Sequence, residues 1–168
     1  MVLIFLSKEV AIDDVIDIMV EKLNSGGTVT FTPKGKSMLP MLRDGEDVVV
    51  LSKPSGRLHL FDIPFYRRSN GAYVLHRIIN FDADGSYVLC GDNQFALEHG
   101  IKDSDIIGVV TAFYRKGKAY SVNSFSYRLY VNFWFYTRFF RHSYRFGTYK
   151  VSKLFGKGNK KSDEKTVD

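Results

Sequence analysis

Seven short apolar runs between residues 28 and 122 set the tightest limit on how this chain can fold. They cover 28–32, 47–52, 63–66, 73–80, 87–90, 106–114 and 119–122. Turn-forming pairs separate them: Asp44-Gly45, Asn70-Gly71, Asp84-Gly85 and Lys116-Gly117. Asn-Gly suits a tight hairpin whose central residues need positive φ. Many short strands with frequent turns predict a mostly β domain of the α+β class. Ahead of the strands, Ile12, Val15, Ile16, Met19, Val20 and Leu23 recur at helical spacing. They predict one amphipathic helix that stops at Ser25-Gly26-Gly27 and packs on the sheet.

The 168 residues suit one domain with a tail. We expect a compact β-domain over 1–122, an aromatic and basic extension over 123–155, and a disordered charged end over 156–168. The net charge of +6 is not spread evenly. Nine Lys or Arg and no acid fall between Ser121 and Lys161, leaving the rest of the chain at −3. That distribution, with no nucleic-acid motif, argues against a nucleic-acid partner. A single cysteine, Cys90, excludes an intrachain disulfide framework. No phosphate loop or metal-ligand spacing is present, so no cofactor and no metal are expected. The apolar start from Met1 to Leu6 is too short for a signal peptide or a membrane span.

The polar residues that stand out are few. Gly35-Lys36-Ser37-Met38-Leu39-Pro40 follows the first run and places a serine on a stiff loop. His76 interrupts the apolar run 73–80. Asp92 follows another run in Gly91-Asp92-Asn93, and Glu98 lies six residues further on. Ser, His and an acid are the parts of an acyl-transfer triad. Each alone has a blander reading, as a turn serine, a core histidine or a turn aspartate. Spacing does not establish that they meet. His59 and His99 match no such pattern, and Cys90 reads as a core residue.

The order of these boxes resembles the signal peptidase I family. The boxes are Gly35 to Pro40, Gly45 to Val50, Asp62 to Tyr66, Val74 to Ile78, Gly91 to Asn93 and Ile106 to Val110. The resemblance implies that Ser37 is the nucleophile. His76 stands before Arg77 where the bacterial branch has a Lys base, as in the His-using branch. Glu98 and Asp92 then become the acids that orient His76 or support the site. Gly35, Lys36 and Met38 form the nucleophile loop. Gly35 replaces a serine whose hydroxyl often helps the oxyanion hole, so the Ser37 N–H needs a second donor. The implied partner is a peptide or preprotein, cleaved at a leader or propeptide. A dedicated maturation peptidase and a catalytically weak peptide-binding module are the alternatives.

The N-terminal membrane anchor usual in that family is not expected here. Residues 124–149 contain twelve aromatic residues interrupted by arginines, and they read as a helix. Aromatic and basic residues together favour the surface of an anionic membrane. The expected location is therefore cytoplasmic or peripherally membrane-associated, without a spanning segment.

Overall fold

The computed structural model describes residues 2–5 and 8–137. It divides the chain into two units, Met1–Arg128 and Leu129–Asp168. The first unit is mostly β, as the spacing of apolar runs predicts. Its strands are β1 (Val2–Phe5), β2 (Lys8–Ala11), β3 (Val29–Pro33), β4 (Val48–Ser52), β5 (Pro64–Arg67), β6 (Tyr73–Leu75), β7 (Arg77–Phe81), β8 (Tyr87–Cys90), β9 (Glu98–Ile101), β10 (Ile106–Arg115) and β11 (Lys118–Ser121). The helices are α1 (Ile16–Asn24) and α2 (Phe125–Tyr136).

The strands form two antiparallel sheets. The larger runs β2-β1-β3-β4-β10-β5-β6, with β11 also on β10, and the smaller runs β7-β8-β9. β10 is long enough to serve three neighbours. Its first half pairs with β5, its second half with β11, and β4 takes the other side. Burial alternates along β4, where Val49 and Leu51 are fully covered, so one face of the sheet lies on the core. The Asn70-Gly71 turn joins β5 to β6, with Gly71 at φ 86° and its N–H donating to the Arg68 carbonyl at 2.9 Å.

Three features depart from the expected strands. The apolar start is β1, paired with β2 and β3. The run 73–80 is two strands rather than one. It breaks at His76, where the chain leaves the large sheet as β6 and enters the small sheet as β7. β9 has no apolar run of its own and is held by its pairing with β8. The predicted helix also starts later. Ile12–Asp14 is a 3-10 turn, and α1 begins at Ile16. Ile16, Met19 and Leu23 are the buried face of α1, and Ile12 of the preceding turn is buried as well. A Cβ added at Gly108 of β10 would meet Leu23 Cδ1 at 3.2 Å, so α1 packs directly on the sheet.

One apolar cluster joins the two sheets. Tyr66 of β5 packs with Leu58, Ile78 of β7, and Tyr87 and Leu89 of β8. Burying large apolar groups at this junction fixes where β9 lies relative to β5. α2 begins after Ser124, whose hydroxyl accepts from the Tyr127 N–H at 3.3 Å. The remainder of the expected aromatic helix and extension, and the tail over 156–168, lie outside the described residues. Among the described residues, no helix is long and apolar enough to cross a membrane.

Candidate active site

Ser37 sits on the loop between β3 and β4, and this loop is tied down at both ends. Gly35 adopts φ 118°, a conformation that favours glycine. Its N–H donates to Asp44 Oδ1 at 2.8 Å, and the Gly45 N–H donates to the Pro33 carbonyl at 3.1 Å. After Ser37 the side chains of Met38, Met41 and Leu42 enter the core. Asp47 anchors the far end from a fully buried position. It accepts from the Arg43 backbone and side chain and from Arg115. Arg115 also donates to the Pro40 and Met41 carbonyls, both at 2.6 Å. Burial pushes the Asp47 carboxyl up, but the hydrogen bonds from the two arginines outweigh it and hold it below its ordinary value.

His76 is 1% exposed, at the crossing between the two sheets. Its Nδ1 lies 2.8 Å from Glu98 Oε1. Glu98 is the first residue of β9, placed opposite Leu89 of β8. An ionised carboxylate accepts only, so Nδ1 carries the proton and Nε2 presents its lone pair. Glu98 has other donors. Tyr66 Oη gives it a bond at 2.8 Å, and Arg68 grips both of its oxygens, with Nε at 2.7 Å. Burial pushes Glu98 up, yet the bonds from Arg68 and Tyr66 and the nearby charges leave it below the usual carboxylate range. Burial also lowers the pKa of His76, more than the Glu98 charge raises it, and the Arg68 charge adds to the lowering. Burial and Arg68 thus favour the neutral imidazole, the state a general base requires.

Asp92 has a different partner. Its carboxylate takes the Arg77 guanidinium with both oxygens, at 2.8 and 2.7 Å. Arg77 is almost fully buried and also donates to the Phe61 carbonyl at 3.0 Å and Tyr127 Oη at 2.8 Å. Asp92 raises the proton affinity of His76 through its charge, while Glu98 does so through its charge and a direct hydrogen bond.

The Gly91 turn lies between the Ser37 backbone and His76. The Asn93 N–H donates to the Ser37 carbonyl at 2.8 Å, and Asn93 Nδ2 donates to the Lys36 carbonyl at 3.1 Å. A Cβ at Gly91 would lie 2.7 Å from the Ser37 carbonyl oxygen, 3.0 Å from Gln94 Oε1 and 3.1 Å from His76 Nε2. One point in space is thus near both the Ser37 backbone and the unprotonated nitrogen of His76. Beneath this turn Cys90 is buried, with its Sγ within 3.4 Å of the Gly91, Gln94 and Ala96 carbonyls.

Ser37 and His76 line one cleft of about 260 Å³. Its walls include Pro33 to Gly35, Met38, Arg68, Gln94 and the whole of β6 with Ala72 before it. Gly35 contributes backbone shape, because its N–H already serves Asp44. The residues that sequence reasoning missed are Tyr66, Arg68 and Gln94. Tyr66 and Arg68 stand in the run Phe65-Tyr66-Arg67-Arg68, where an aromatic-basic string gives no sign of which acid it serves. His99 follows Glu98 but points to the opposite side of β9, where its Nδ1 meets Asp82 at 2.9 Å. Among the described residues, no group of three or more His, Cys, Asp or Glu could hold a metal ion. Comparisons with protein-family models, curated proteins and solved structures find no match for this chain.

Proposed function

We propose that this protein is a serine endopeptidase of the signal-peptidase type, cutting a leader or propeptide from an extended peptide substrate. The observation that carries the reading is the placement of buried His76. Glu98 holds its Nδ1, and its Nε2 lies beside the Ser37 loop. The Ser37 hydroxyl attacks the scissile carbonyl and its proton passes to His76 Nε2. His76 then protonates the leaving amine as the C–N bond breaks, leaving an acyl group on Ser37. Water attacks that ester, again giving its proton to His76, and the acid product leaves as the proton returns to Ser37.

Glu98 orients His76 and stabilises its protonated form. Asp92 holds Arg77 beneath the site. The Ser37 N–H supplies one oxyanion donor. Ser37→Ala and His76→Ala should each lower the cleavage of a fluorogenic peptide library by several orders of magnitude, with unchanged circular dichroism. Wild-type rates in either variant would overturn the assignment.

A peripheral membrane role rests on α2. Leu129, Phe133 and Tyr136 recur at helical spacing and are all more than half exposed. An apolar stripe next to a basic segment suits the headgroup region of an anionic bilayer. Such contact would hold the peptidase close to membrane-bound precursors.

A further inference from the structure

A second cleft, of about 650 Å³, shares Arg68 and Tyr73 with the one that holds Ser37 and His76. Arg67 and Arg68 line it together with Ser69, Gly71, His99 and Asp105, whose carboxylate accepts from the Lys102 N–H. Its two arginines are differently committed. Arg68 is bound to Glu98 by two hydrogen bonds. Arg67 is exposed, has no acidic partner among the described residues, and lies with its guanidinium carbon 5.7 Å from the centre of the Tyr73 ring. Arg67 and Tyr73 face each other across β5 and β6. The aromatic face restricts the arginine side chain, so less freedom is lost when it meets an anion.

The strand geometry relates Arg67 to the reacting groups. β6 pairs with β5 on one side and ends the large sheet. Its residues line the first cleft up to His76. Tyr73 lies three residues before His76, which at about 3.3 Å per residue is roughly 10 Å along an extended chain. A peptide lying along β6, with its cut bond at Ser37, would bring a residue about three positions from that bond to Arg67.

We propose that Arg67, presented by Tyr73 at the end of β6 away from His76, binds an acidic side chain of the substrate about three residues from the cut bond. This rests on the peptidase reading above and names the substrate class of that site. The specificity is one of attraction. A guanidinium pairs with a carboxylate through two parallel N–H bonds and repels a lysine at the same place.

The test compares wild-type protein with Arg67→Glu on internally quenched ten-residue peptides. The second, third and fourth residues on each side of the centre are set in turn to Asp, Ala or Lys. For the wild type, kcat/KM should favour Asp over Lys by about three- to tenfold at one position near the third residue. The difference should lie in KM and shrink in high salt. Arg67→Glu should reverse the order while retaining kcat on the Ala peptides. No charge preference, or a preference unchanged in Arg67→Glu, would overturn the proposal. The same peptides, titrated by fluorescence anisotropy against Ser37→Ala and the double variant, separate the two readings. A charge preference in binding without cleavage by wild type would sink the peptidase reading and keep the acidic subsite. Cleavage without charge preference would do the reverse.

Discussion

Arg68 and Glu98 act on His76 in opposite senses, and this gives the site a signature at the scale of single residues. The Glu98 charge raises the proton affinity of His76, and the Arg68 charge lowers it. A base works only when neutral, so under the proposed mechanism activity should rise with pH through the pKa of His76. Burial places that limb below 6.5, the ordinary histidine value. Arg68→Met removes a cation and should shift the limb to higher pH. Glu98→Gln removes an anion and should shift it lower, with kcat reduced by about 10²- to 10⁴-fold because the imidazole loses its orienting partner. The pH dependence of kcat/KM for the two variants checks both. Shifts in the same direction would mean that the charges do not act through His76.

At the scale of elements, the Gly91 turn matters because of what it approaches. A methyl group at Gly91 would press within 2.7 Å of the Ser37 carbonyl, a backbone atom that cannot swing aside. Gly91→Ala should therefore push the β3–β4 loop away from His76. The expected outcome is a loss of kcat of at least tenfold at a melting temperature within a few degrees of wild type. An unchanged kcat would show that the two loops need not touch for activity. The turn also shows what the sequence could reveal. Its Gly-Asp-Asn letters mark a bend, but only the fold shows that the glycine serves close approach. Apolar runs and Gly turns made β3, β4, β5, β8, β10 and β11 legible. β9 was not, because Glu98-His99-Gly100-Ile101 has no alternation and depends on β8 for its conformation. The break at His76 was hidden for the opposite reason, since the apolar run continues across it. Ser37, His76 and Glu98 could be read as chemistry-bearing residues. Which acid met which base could not, because Arg77 and Arg68 choose their carboxylates through contacts between distant strands.

At the scale of the molecule, nine Lys or Arg and no acid fall between Ser121 and Lys161, and Phe125, Leu129, Phe133 and Tyr136 of α2 are exposed. Full-length protein should co-sediment with anionic vesicles at low salt and release as salt rises. A chain ending at Val122 should stay in the supernatant. Binding that persists after truncation would remove the role given to α2 and the residues after it.

The proposed mechanism depends on Ser37 as the nucleophile and on His76 as the base that activates it. The most direct measurement is the rate at which a fluorophosphonate labels the protein across pH, with the modified residue located by mass spectrometry. One adduct is expected, on Ser37, forming at a rate that rises with pH through a midpoint below 6.5 and is lost in His76→Ala. A stable adduct on another residue, or labelling of Ser37 at the wild-type rate in His76→Ala, would contradict it.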